Sequence, residues 1–198
     1  MLRRIRYRLR RFRQDEAGSI IAETVIMFPT LFAAVLATFV FFDAFRNQAI
    51  ILKANYTIGD SVSRTNKDIT NTYMVNMWRL HRFLTDSPTL TELRISVITY
   101  DADTDKHTVA WSRSKGGGEQ YSDVPITTIG LDRNQIPIMP PNETLIVVQT
   151  TVDYQPGFSI GFGSFEFQNV SYTRPRGPQN VCYNHNGTGV NSDCPLGD

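Results

Sequence analysis

The chain has 198 residues, 41% of them apolar and 20% charged, a length and balance that fit one packed domain with appendages and argue against two full domains. Its formal net charge of +1 hides two unlike parts. Arg3, Arg4, Arg6, Arg8, Arg10, Arg11 and Arg13 stand against only Asp15 and Glu16, whereas the chain after residue 18 holds 13 basic and 17 acidic residues, a net of −4.

Residues 1–18 are therefore a basic leader, and such a tail has three readings. It can be a nucleic-acid arm, the start of a secretory signal, or a positive-inside membrane anchor. The next two dozen residues decide among them. From Ile20 to Phe42 the only charge is Glu23, and as a helix this run spans about 34 Å, enough for a hydrocarbon core of ~30 Å with some tilt. The arginines beside it predict a cytoplasmic N-terminus and an exported body. A run that abuts a membrane span disfavours a nucleic-acid partner. A cleaved secretory signal fits less well, because its apolar run is ~7–15 residues and ends in small residues. Here Phe39, Val40, Phe41 and Phe42 come after the alanines.

Helical spacing continues past the span. Ile51, Ala54, Ile58 and Val62 recur at three- and four-residue steps, with Arg46, Lys53, Asp60 and Arg64 elsewhere on the wheel, so one helix is expected from about Ser19 to about Ser63. Its first half is apolar all round and its second half has one stripe to bury. Pro29 falls inside it and is expected to kink it or open its hydrogen bonding. Asp43 stands at the far end of the span, where an interface residue is expected.

A second, shorter helix is predicted within "NKDITNTYMVNMWRLHRFLTD". Ile69, Tyr73, Met77, Leu80 and Leu84 share a face, Thr70 or Asn71 is the candidate cap, and Pro88 closes the helix. From Leu93 the period changes to two. "LRISVITY" and "HTVAWS" flank the polar link "DADTDK", a hairpin signal. A loop with "KGGGE" and "IPIMPPNE" comes next, then "TLIVVQTTVDY", the most apolar strand and the expected central one. "GFSIGFGSFEFQNVSYT" supplies one or two more strands, which "RPRGPQ" ends. The expected fold class is α+β: a long N-terminal transmembrane and amphipathic helix and a short helix packed on an antiparallel sheet. Residues 19–64 would be the long helix, spanning the membrane over about 20–42, and residues 65–198 a periplasmic or extracellular domain ending in a cysteine loop.

The chemistry-bearing residues form no catalytic constellation. Asp101, Asp103 and Asp105 open like a calcium loop, but Lys106 and Ser112 occupy the places that need Gly and Glu. A solvated hairpin tip is the better reading, with weak calcium binding the alternative. The glycine clusters lack the frame of a phosphate loop. His81, His107 and His185 match no nucleophile-elbow spacing and read as isolated surface histidines. Cys182 and Cys194, with eleven residues between them, most simply form one disulfide in an oxidising compartment. A metal site would need a fourth ligand besides Cys182, His185 and Cys194. No enzyme activity and no cofactor are expected.

Glu23 is the anomaly, since an ionised carboxylate inside a bilayer costs about 2.5–3.5 kcal/mol or more. Gly18, a Glu at the fifth place after it, and an apolar helix that turns amphipathic resemble the type IV pilin pattern. "RFRQDEAGSIIAETVIMFPTLF" is similar over about 30 residues to the N-terminal block of TadE-like proteins, minor pilins or pseudopilins of the tight-adherence (Tad/Flp) pilus. Pro29, six residues after the Glu, belongs to that block, and the later "RPR" at Arg174–Arg176 is also similar to what such proteins carry near their ends. The chain is too short for the von Willebrand-type domain of the TadG-type relatives.

The resemblance implies a pilin-like fold and processing by a prepilin peptidase between Gly18 and Ser19. It also implies assembly in which Glu23 of one subunit pairs with the new α-amine of Ser19 on a neighbour. Implied partners are other pilins or pseudopilins, the Tad assembly machinery and the bacterial inner membrane, with a single pass and a periplasmic body. The alternative is an uncleaved, membrane-tethered periplasmic scaffold or binding protein.

Overall fold

The structure, a computed structural model, describes residues 17–86, 91–141, 143–157, 163–177, 180–187 and 192–195, with side chains described from Ile20. The basic leader before residue 17, Pro88 and residues 158–162 of the expected later strands lie outside the described residues.

One helix, α1, spans Ala17–Ser63 and runs through Pro29 without interruption. Its halves differ as the spacing predicts. Every described side chain from Ile20 to Val35 is exposed, whereas Ile51, Ala54, Ile58 and Val62 are at most 3% exposed. The helix stops where its last carbonyls find other donors. The Arg176 and Gly177 amides donate to the Ser63 carbonyl at 2.8 and 3.2 Å, so the "RPR" segment caps α1 from a distant part of the chain.

A short strand, β1 (Ile69–Thr70), leads into α2 (Asn71–Thr85). Thr70 is the cap, its hydroxyl accepting the Tyr73 amide at 3.2 Å. The helix ends at Asp86 in the left-handed region (φ 47°). The expected buried face is turned by about one residue. Met74, His81 and Thr85 are buried, whereas Tyr73, Met77, Trp78 and Leu80 pack at the margin. A wheel centred on apolar residue types misses this, because the face that meets the sheet includes a histidine and a threonine.

The main sheet has five antiparallel strands: β2 (Thr91–Asp101), β3 (Lys106–Lys115), β4 (Tyr121–Pro125), β5 (Thr144–Tyr154) and β6 (Phe165–Thr173), in the order β4-β3-β2-β5-β6. The expected hairpin is β2–β3, with a register shift between Val97 and Ile98. The strand "TLIVVQTTVDY" is interior, but β2 is the middle one. The segment expected as a loop after β3 supplies edge strand β4 and two 3-10 turns, Ile126–Ile129 and Arg133–Gln135.

Those turns explain why β5 is apolar on both faces. On one face α1 and α2 cover Leu93, Ile95, Val97, Trp111, Ile146 and Val148. On the other, Ile126, Ile129, Leu131, Ile136 and Met139 cover Ile98, Val109, Leu145 and Val147. A second, small sheet joins β1 to β7 (Tyr183–Asn184) in parallel and β7 to β8 (Ser192–Asp193) in antiparallel.

Candidate functional site

The exposed half of α1 is the strongest candidate surface. Its threonine hydroxyls are turned back onto the helix: Thr24, Thr30 and Thr38 donate to the carbonyls of Ile20, Ile26 and Ala34 at 2.8–2.9 Å, which suits an apolar solvent. Phe28 stacks on Phe32 one turn on, ring centroids 6.4 Å apart. Glu23 is exposed and lines a shallow groove with Thr24, Met27, Phe28 and Leu31. The Gly18–Ser19 peptide lies in the first turn of α1. The segment is long and apolar enough to cross a membrane.

The body begins at the end of that segment. Val40 is 7% exposed, and Tyr154 donates its phenol hydrogen to Asp43 Oδ2 at 2.6 Å. Burial first, then the Asp43 carboxylate, pushes the Tyr154 phenol up to about 12. Asp43 is thus the foot of the body as well as the end of the span. Further up, Ser171 donates to Asn55 Oδ1 at 3.1 Å within the helix–sheet seam. Gly59 allows close approach there, because a Cβ would stand 2.9 Å from Thr173 Oγ1. Above it Asp60 takes Arg64 at 2.9 Å and Arg176 at 3.3 Å, and Arg174 takes Glu143 at 3.4 Å. Arg176 and Arg174 tie the segment after β6 to α1 and to the residue before β5, whereas the Arg64 pair lies within the end of the helix.

The cysteine reading resolves as a disulfide, Cys182–Cys194, and no cluster of metal-ligating side chains occurs among the described residues. The disulfide brackets β7 and β8, which lie over a buried cation. Arg113 is largely buried, pairs with Asp193 at 2.5 Å and lies 4.5 Å from the centre of the Tyr183 ring. It also donates to the Tyr121 carbonyl at 2.7 Å. His185 Nε2 is 3.0 Å from the same Asp193 carboxylate. Trp111, fully buried, donates its indole hydrogen to the Val181 carbonyl at 2.7 Å.

None of the three histidines is isolated on the surface as expected: His107 is half-buried, its ring centroid 4.7 Å from that of Tyr100. His185 belongs to the Arg113–Asp193 network. His81 is fully buried, with no hydrogen-bond partner for either ring nitrogen among the described residues, and burial pushes its pKa down to about 4. Arg113 carries no sequence signal, since a lone arginine in "VAWSRSK" reads as a solvated strand position.

The acidic hairpin tip is occupied by its own side chains. Asp101 accepts from the Asp103 amide and the Thr104 hydroxyl at 3.0 and 2.7 Å. Asp105 accepts two bonds from Arg133 and one from Tyr100, and the guanidinium, then the phenol, hold its carboxyl down at about 2. These contacts favour the hairpin-tip reading over calcium. No protein-family model matches the chain, and no curated protein or solved structure matches it.

Proposed function

We propose that this chain is a minor-pilin- or pseudopilin-like structural component of a tight-adherence pilus, held in the bacterial inner membrane by α1 with its α+β body on the periplasmic side. The observation that carries the reading is α1 itself. It is one 47-residue helix, exposed over its apolar half and serving as the spine of a folded body over the other. An apolar helix exposed on all sides has two physical destinations, lipid or the helices of other subunits. A pilin occupies each in turn.

In this reading a prepilin peptidase cuts between Gly18 and Ser19. The Ser19 amine of one subunit then pairs with Glu23 of its neighbour, which brings opposite charges together in apolar surroundings. Pro29 removes the amide that would bond the Val25 carbonyl, giving α1 a point at which to bend as it leaves the bilayer. The role requires no cofactor and no catalytic group.

The test is the N-terminal residue of protein from native membranes, together with incorporation of Glu23→Ala into the assembly. A chain beginning at Ser19, and a variant that inserts normally but is not incorporated, support the reading. A chain beginning at Met1, with normal incorporation of the variant, leaves an uncleaved membrane-tethered scaffold or binding protein.

A further inference from the structure

We infer that the end of the sheet at Tyr154 and Phe165 is a second membrane-contacting surface, which seats the folded body directly on the bilayer that α1 crosses. The inference rests on α1 being membrane-spanning and is independent of pilus assembly.

Three observations carry it. The first is level. Tyr154 is tied to Asp43 at 2.6 Å, and Asp43 directly follows the segment from Ile20 to Phe42 whose only charge is Glu23. The last residue of β5 therefore stands at the height where α1 leaves the hydrocarbon.

The second is direction. Asp43 meets the foot of the sheet, Asn55 meets Ser171, and Gly59 meets Thr173, so β6 climbs beside α1 in the same sense. The rise from Asp43 to Gly59 is about 24 Å along the helix, and from Phe165 to Thr173 about 26 Å along the strand, at ~1.5 and ~3.3 Å per residue. The two elements keep pace, which directs the foot of the sheet toward the bilayer and its other end away from it.

The third is chemistry. Tyr154 pairs with Phe165 across the strands, and Phe167 follows two residues on, which puts all three on one face. Their ring centroids are 5.0–5.6 Å apart. Phe165 is still 41% exposed, at the bottom of a strand that becomes buried at Ser171, near its other end. On the side of α1 away from the sheet, Phe42 and Phe45 are 72% and 66% exposed. Aromatic rings thus surround α1 at the level of residues 42–45. Rings at this depth favour the boundary between headgroups and acyl chains over either bulk phase. The Tyr154 hydroxyl and the Asp43 carboxylate satisfy each other there, which lowers the cost of placing them against lipid.

The occupant is the lipid headgroup–acyl boundary itself. The test is nitroxide accessibility in the full chain, reconstituted in phosphatidylcholine/phosphatidylglycerol nanodiscs. With Cys182 and Cys194 joined, each introduced cysteine is the only free thiol. Labels go at Phe28→Cys within the span, at Phe165→Cys in the foot, and at Ile138→Cys, which is 94% exposed. Ser164→Cys is a second foot label that leaves the three aromatics intact.

The expected result is that both foot labels show oxygen-to-nickel collision ratios between those of the residue-28 and residue-138 labels. Their collisions with a water-soluble nickel chelate should fall several-fold below those at residue 138. Foot labels as accessible to nickel as residue 138, with residue 28 still in lipid, overturn the foot contact alone. A residue-28 label in water overturns the spanning reading and the foot with it.

Discussion

Tyr154 and Asp43, 111 residues apart in the chain, share a 2.6 Å hydrogen bond that joins the last residue of β5 to the end of the apolar half of α1. It fastens the foot of the sheet to the helix. Tyr154→Phe keeps the ring and removes the donor to a charged acceptor, with an expected cost of about 1.5–3 kcal/mol, read as a fall in Tm of the detergent-solubilised chain. The tyrosine contribution to stability is full below about pH 10 and is lost as pH rises toward 12, because the folded-state pKa is raised. In an absorbance titration, Tyr154→Phe should remove a late-titrating phenol. An unchanged Tm and an unchanged titration would show that the bond contributes nothing.

Asp193 and the disulfide hold the same flap by different means. Reduction of Cys182–Cys194 should lower stability by about 3 kcal/mol by releasing the closed loop. Arg113→Ala, with the disulfide intact, removes the cation beneath the flap and leaves Asp193 without that partner. Breaking a buried pair from one side costs about 3–5 kcal/mol, with some reduction here because Asp193 is 29% exposed. Trp111 reports both changes, since Val181 and Tyr183 cover it. Its emission should shift to the red on reduction. A reduced protein with unchanged Tm and emission would mean that packing alone holds β7 and β8.

His81 makes the body acid-sensitive. Its folded-state pKa lies near 4 against an ordinary 6.5, so the unfolded chain binds the proton more readily in that window. Stability therefore falls as pH drops from about 6.5 to 4 and levels off below, as far as this group is concerned. His81→Leu has no proton to take up. Its Tm difference from the parent should change in its favour between pH 7 and pH 4.5. A constant difference across that range would place the acid sensitivity elsewhere.

Gly59 sets the distance between α1 and β6. A Cβ would meet Thr173 Oγ1 at 2.9 Å, a contact a rotating threonine can relieve. A larger side chain cannot be accommodated without moving the helix. Gly59→Leu should cost about 1–3 kcal/mol by overpacking, measured by thermal unfolding, whereas Gly59→Ala should cost far less because better helix propensity offsets the contact.

The elements legible in the sequence share a local cause. The long helix, its buried stripe at Ile51, Ala54, Ile58 and Val62, the Thr70 cap and the β2–β3 hairpin all arise from periods of 3.6 and 2 and from capping chemistry, which operate within a few residues. The pairing of Cys182 with Cys194 is equally open to reading, since only two cysteines exist. The features that local pattern misses depend on partners far along the chain. The buried face of α2 is turned by one residue because the sheet accepts His81 and Thr85. Strand β4 carries no signal of its own because five residues, three of them polar or proline, are a strand only beside β3.

For the candidate site the division is the same. The apolar run from Ile20 to Phe42, interrupted by Glu23, is a property of the sequence alone, because transfer to lipid sums over side chains regardless of their neighbours. The meeting of Asp43 with Tyr154, of Arg113 with Asp193, and of the Ser63 carbonyl with Arg176 was decided only by tertiary structure. A polar group leaves water only when its partner arrives with the fold, and no local pattern announces which partner that is.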